Sequence, residues 1–148
     1  MTFGKILSPI QLNDQNSLDA LDLARQWALE NKSEILLLHV IPHGMVKPEL
    51  PGYQDQFADS ERKVIDELEK IATNHLGGCR YWMMVKSGDP AEAIVEVART
   101  LEVDLIVMAT HGRRGLTHLV LGSVAEKVLR EAPCLVLTIR PGIRMKSV

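Results

Sequence analysis

Between Ala109 and Ala125 the chain reads A-T-H-G-R-R-G-L-T-H-L-V-L-G-S-V-A. These residue types at these spacings suit one kind of chemistry, the holding of an anion. Gly112 and Gly115 let the chain turn at positive φ and bring backbone close to a ligand. Gly122-Ser123 opens an apolar-periodic segment that stops at Pro133, so a helix begins there with unpaired N–H groups and partial positive charge facing outward. Phosphate is the natural partner of such a helix start. Arg113 and Arg114 could steer it, although exposed loop arginines more often face solvent. The Ser123 hydroxyl is placed to cap the helix or touch phosphate, and no base beside it is identifiable that would make it a nucleophile. His111 and His118 have no carboxylate or cysteine at ligand spacing, which favours a supporting role over metal binding.

Other chemistries lack their residues. There is no G-x-x-x-x-G-K-[ST], so the lysine that serves γ-phosphate transfer in P-loop enzymes is missing, and no G-x-G-x-x-G follows the first apolar run. No G-x-S-x-G elbow is present either. Asp14, Asp89 and Asp104 are candidates for activating water only by residue type, with no spacing to recommend them. Binding without fast turnover is the expectation, with a slow ATPase or nucleotidyl transferase as the enzymatic alternative.

The elements that must position this loop alternate. Phe3 to Ile10 reads as a first strand, followed by the turn- and cap-rich loop Gln11 to Asn16. Leu18, Leu21, Ala24, Ala28 and Leu29 recur at helical spacing, and Ile35 to Ile41 is a second apolar run. Pro42, Gly44, Pro48, Pro51 and Gly52 forbid a long regular element up to about Ser60, leaving room for no more than a short helical turn. A helix from about Ser60, with Val64, Leu68, Ile71 and His75 on one stripe, stops at Gly77-Gly78. Arg80 to Ser87 reads as a third strand. Asp89-Pro90-Ala91-Glu92 starts the next helix, with Asp89 as cap, Pro90 in the first helical position and Glu92 completing a box-like arrangement. Leu105 to Met108 is continuously apolar, as a parallel strand covered on both faces should be, and Cys134 to Ile139 supplies a fifth. Strands alternating with helices point to an α/β, doubly wound, five-stranded parallel sheet with helices on both faces. His39, inside an apolar strand, and His75, on a helix stripe, read as satisfied packing residues.

A chain of 148 residues with 46% hydrophobic residues is expected to form one domain, residues 1–148, around a substantial core. Aromatics are only 4%, so that core is largely aliphatic. A formal net charge of −2 gives no general attraction to nucleic acid or anionic membrane, so anion binding must be local. Cys79 and Cys134 fit no CxxC or zinc pattern and read as reduced thiols. The N-terminus lacks a signal peptide's apolar core, and no stretch approaches bilayer-spanning length, so a cytoplasmic location is expected.

The anion-site segment resembles the nucleotide-binding signature of the universal stress protein family, G-x₂-G-x₉-G-[ST]. Ala109 stands where the first glycine is usual, Gly112 follows, and nine residues separate it from Gly122-Ser123. The likeness continues through Val124 to Leu129 and through Ala132-Pro133-Cys134, and it covers nearly the whole chain. It implies the strand order 3-2-1-4-5 and a crevice between the first and fourth strands, where such sheets bind ligands. By the same resemblance an acidic residue after the first strand contacts the nucleoside, and backbone at the end of the second strand reads adenine. The glycine loop and helix start hold the phosphates. Carried over, these positions are Gln11, Val40, Gly112, Gly122 and Ser123, with Pro9, Ala109, His111, Arg113 and Val124 completing the expected surround of the nucleotide. Two positions depart from the pattern. Gln11 replaces the usual acid and loses the charge-assisted hydrogen bond, and Ala109 would strain the loop if its φ were positive.

The resemblance implies an adenine-nucleotide-binding protein, with ATP as ligand, magnesium as a possible companion and a regulatory or stress-response role. The alternative is an interaction or signalling module of the same fold that does not bind nucleotide. A homodimer joined through the fifth strand is also expected. Cys134 to Ile139 would lie at the sheet edge, free of proline or charge until Arg140, and an edge of that kind needs cover.

Overall fold

The computed structural model describes residues 2–44, 51–110 and 121–143. In chain order they form β1 (Lys5–Pro9), α1 (Gln15–Asn31), β2 (Glu34–Ile41), α2 (Tyr53–His75), β3 (Arg80–Ser87), α3 (Pro90–Thr100), β4 (Leu105–Ala109), α4 (Ser123–Glu131) and β5 (Leu135–Ile139). The strands make one five-stranded sheet in the order β3-β2-β1-β4-β5, and every pairing is parallel. This is the order that the family resemblance implied.

Side chains alternate across a strand, and here both sets are apolar. Ile6, Ile35, Leu37, Leu105 and Val107 join Leu21, Ala24, Leu68 and Ala72 in a cluster that packs α1 and α2 on one face. Their neighbours Leu7, Leu36, Leu38, Ile106 and Met108 join Ile94, Val97, Ala125 and Val128 in a second cluster under α3 and α4. The central strands therefore read as largely apolar runs because each is covered twice. The edges differ. Trp82 on β3 is 63% exposed and Leu135 on β5 is 54% exposed.

The helix starts follow the capping chemistry read from sequence. Asp14 caps α1, accepting from the N–H groups of Asn16 and Ser17. Asp89 caps α3, accepting from Glu92 N–H at 2.9 Å with Pro90 in the first turn. The reciprocal half of that box is absent, because the Glu92 carboxylate turns instead to Lys127 on α4, 3.1 Å away. A second expectation also needs correction. α2 begins at Tyr53, well before Ser60. Gly52, at φ 85°, marks its N-cap, and from Tyr53 to Leu76 the chain contains neither proline nor glycine. The helix therefore extends back to the last breaker, through polar residues that show no apolar spacing.

Candidate functional site

The connections leaving β1 and β4 run to opposite sides of the sheet, which leaves a gap between the carboxyl ends of these two strands. There the described residues enclose a cleft of about 630 Å³, within the range of small-molecule sites. Pro9, Gln11, Val40, Ala109, Gly122, Ser123 and Val124 all line it. His111, Gly112 and Arg113 lie outside the described residues, as do Arg114, Gly115 and His118.

One end of the cleft is the start of α4. Gly122 is the N-cap, at φ −59° and ψ 149°, and among the described residues no side chain caps the helix. Glycine has no side-chain oxygen to offer, so among the described residues nothing caps the first-turn N–H groups of Ser123, Val124 and Ala125, which are open to water or a ligand. The N–H of Gly122 itself is not part of this set, because it donates to the carbonyl of Thr110 at 3.1 Å. Thr110 is buried, and its N–H and hydroxyl both donate to Ile139 O, at 2.9 and 3.2 Å. The helix start is thus pinned through Thr110 to the end of β5. Ala109 ends β4 in extended geometry and is not among the residues with positive φ, so its methyl adds no backbone strain.

The middle of the cleft is the end of β1. Gln11 is exposed, and its N–H donates to the Ser17 hydroxyl at 3.0 Å. That hydroxyl donates in turn to Asp14 Oδ2 at 2.8 Å, and the same oxygen accepts from Ser17 N–H at 3.2 Å. The cap of α1 therefore holds the loop that carries Gln11. The three aspartates left open as water activators are all engaged structurally. Asp14 caps α1, Asp89 caps α3, and Asp104 accepts from the N–H groups of Gly4 and Lys5 at 2.8 and 2.9 Å, beside the amino end of β1 and away from the cleft.

The far end is apolar. Val40, Ile41, Pro42 and Val64 line it, and Ile94 and Met108 also belong to the lining of the cleft. His39 lines the cleft too, and its Nδ1 lies 2.9 Å from Ile10 O. A carbonyl only accepts, so Nδ1 carries the hydrogen, and Nε2 is the acceptor of the neutral ring. His39 is satisfied, as its place in an apolar strand suggested, yet it also belongs to the site. Its sequence signal was a polar residue interrupting an apolar run next to Val40. Thr110 and Ser60 are further site residues that sequence reasoning missed. His75, by contrast, pairs with Asp22 across α1 and α2 at 2.8 Å.

Lys127, in the middle of α4, reaches the start of α3, with Nζ 3.1 Å from Glu92 and 3.7 Å from Asp89. The backbone N–H of Glu92, helped by Lys127, holds the Asp89 carboxyl below its ordinary range against the opposing effect of burial. The hydrogen bond to Glu92, with the charge of Asp89, holds Lys127 above its own. Burial pushes up both free thiols, Cys79 and Cys134, which suits unreactive cysteines. Among the described residues no group of three or more His, Cys, Asp or Glu side chains could hold a metal ion. No helix there is long and apolar enough to cross a membrane.

The family model for universal stress proteins matches residues 2–140. The chain belongs to that family. Universal stress protein MJ0531 of Methanocaldococcus jannaschii is 32% identical over 146 residues, covering 93% of this chain and 82% of that one. The solved structure of another universal stress protein of that organism, MJ0577, is similar with a TM-score of 0.84 at 27% identity, covering 99% of this chain and 100% of the other. A universal stress protein solved in complex with cAMP shares the fold, with a TM-score of 0.73 at 21% identity over 94% of this chain and 98% of its own.

Proposed function

We propose that the cleft binds an adenine nucleotide, with ATP as the ligand, and that the protein acts as a regulatory nucleotide-binding member of its family in the cytoplasm. The observation that carries this is the joining of two unlike surfaces in one cleft. An uncapped helix start with a glycine N-cap offers N–H groups to phosphate, and the apolar end at Val40, Ile41 and Val64 offers a surface for a purine ring. The cAMP complex of a family member supports adenine as the base. Magnesium would travel with the phosphates, held by them rather than by a dedicated side-chain cluster. Calorimetry with ATP on the purified protein, together with mass spectrometry of any ligand it releases, tests the reading. Heat of binding with one-to-one stoichiometry is expected. No released nucleotide and no heat with ATP, ADP or AMP would leave the non-binding interaction module as the better account.

We further propose a homodimer joined through β5. This strand lies at the sheet edge with β4 as its partner, and Leu135 is exposed while Val136 and Leu137 are half-buried. A second copy related by a two-fold axis would cover that edge and its apolar side chains. Lysine at Val136 or Leu137 would place like charges together at the interface. Light scattering should show a dimer that Val136→Lys or Leu137→Lys converts to monomer. A monomeric wild type at micromolar concentration refutes the contact.

A further inference from the structure

The sheet has two edges, and their chemistry differs. β5 is the apolar edge, for which a second copy is proposed above. β3 is the other, paired with β2 from Arg80 to Ser87 and with no strand on its outer side among the described residues. Residues two apart on a strand share a face, so Arg80, Trp82, Met84 and Lys86 stand in one row. Met84 packs against the cluster under α3 and α4, which places the row on that side of the sheet. Trp82 is 63% exposed, and the stacked ring pair among the described residues is Phe3 with Trp27, elsewhere in the fold. Arg80 keeps a side chain 72% exposed although Glu34 lies 3.5 Å away. Lys86 is exposed, and β3 itself contains no acid. Outward backbone groups, an exposed indole and two flanking cations together form a surface to which a strand can add.

The charges decide what kind of strand. A second copy of β3 brings no acid to either cation, and a two-fold pairing centred on Met83 would set Arg80 of each copy against Lys86 of the other, a like-charge pair. Cations on an edge deter self-pairing and leave the edge to a partner of opposite charge. A strand with acids opposite Arg80 and Lys86 and apolar side chains opposite Trp82 and Met84 satisfies the whole row. That alternation, acid, apolar, apolar, acid at every second residue, reads the same in both chain directions. We propose that the β3 edge docks an extended segment of a partner protein with this acidic and apolar alternation, taken up as a further strand of the sheet. The proposal does not depend on the nucleotide reading, since it concerns the outer edge of the sheet and not the cleft.

The test uses the full chain and a synthetic, end-capped peptide, Thr-Glu-Thr-Val-Thr-Val-Thr-Glu-Thr, with backbone amide shifts and the Trp82 indole N–H followed by nuclear magnetic resonance. Saturable shifts centred on β3 are expected, with Kd below about 1 mM. Replacing both glutamates of the peptide by lysine should weaken binding about tenfold or more. The double variant Arg80→Glu with Lys86→Glu should reverse that preference and bind the lysine peptide better, which a merely disturbed edge would not do. Trp82→Ala should weaken the glutamate peptide several-fold and keep its advantage over the lysine one. Only alternate N–H groups of an added strand face its neighbour, so N-methylation of one alternate set in the peptide should abolish binding and of the other set should spare it. No saturable shift below about 1 mM, equal binding of the lysine peptide, or shifts centred away from β3 overturns the proposal. So does light scattering that shows wild type assembling into a form lost in Trp82→Ala but kept in Val136→Lys, because a second copy would then occupy this edge.

Discussion

At one end of the cleft the available donors are backbone amides at the start of α4, whereas at its middle the cleft is lined by a side chain, Gln11, on a loop that the cap of α1 holds. The first kind of site comes with the helix. It needs a strand, a turn and a residue at the N-cap that leaves the N–H groups uncovered, and Gly122 meets that need by having no side chain at all. The second kind depends on one residue type. Replacing an acid with an amide there changes charge and hydrogen-bonding sense without touching the sheet, the caps or the core. On the proposed reading, ligand class would follow from the fold and preference within that class from single side chains.

The largest expected effect breaks the backbone end. At φ −59° and ψ 149° Gly122 occupies a conformation open to any residue, so Gly122→Val should fold and melt like wild type. Its N–H would still reach Thr110. The isopropyl group, however, would stand where phosphate approaches the helix start. Affinity for ATP should fall on the order of a hundredfold, about 2.8 kcal/mol. Equal affinities by calorimetry in the two folded proteins would remove the phosphate assignment.

The next effect sharpens the comparison from the other side. Asp14→Ala deletes a cap that serves several donors and the support of the Gln11 loop. Stability should fall by about 1–2 kcal/mol, as for other lost caps, measurable by denaturant unfolding. Binding of AMP should weaken in the same variant, while binding of inorganic triphosphate, which needs only the α4 start, should hold. A parallel loss of both would mean that the two ends are not separate.

Ser123→Ala should do less than either. The Ser123 hydroxyl is one donor beside a set of backbone N–H groups and has water as an alternative partner. Its removal should cost about 0.5–1.5 kcal/mol of ATP affinity. A loss as large as that of Gly122→Val would shift the weight of recognition from backbone to side chain at this end.

What sequence made legible follows the same division between local and distant causes. β3 can be read to the residue, Arg80–Ser87, because Gly77-Gly78 and Asp89-Pro90 bound it on both sides. The caps of α1 and α3 are local patterns as well, and both are present. The start of α2 was not legible, since the polar stretch after Gly52 carries no apolar spacing and only the absence of a breaker lets the helix continue. The strand order came from family resemblance, because periodicity says nothing about which strands are neighbours. At the cleft, Gly122-Ser123 came from the motif and Val40 from the family resemblance, and all three line it. The bond from His39 to Ile10 O and the anchoring of Gly122 through Thr110 to Ile139 were not legible, because each joins segments that meet only after β1, β2, β4 and β5 have paired. Glu92 shows the same limit. Its spacing from Asp89 suggests a capping box, yet Lys127, 35 residues away, takes its carboxylate.

That same lysine supplies the smallest and last test, which asks whether the phosphate end depends on pH through the fold. Lys127 ties α4 to the start of α3 through Glu92 and Asp89. The Asp89 carboxyl is held below its unfolded value, so its stabilising contribution is complete above about pH 4 and is lost as pH falls through the lower, folded value. The Lys127 ammonium is held above its unfolded value, so its contribution is complete below about pH 10.4 and is lost as pH rises through the higher one. Between these limits the tie is intact, and outside either it fails. Thermal unfolding of wild type and Lys127→Met from acid to alkaline pH should therefore show a small difference in melting temperature across the middle of the range that closes at both extremes. The difference should also shrink in concentrated salt, because the pair is exposed enough to be screened. Within the window Lys127→Met should weaken triphosphate binding slightly by loosening α4. A melting difference that persists unaltered below about pH 4 and above about pH 10.4 would show that the lysine acts by some route other than this tie.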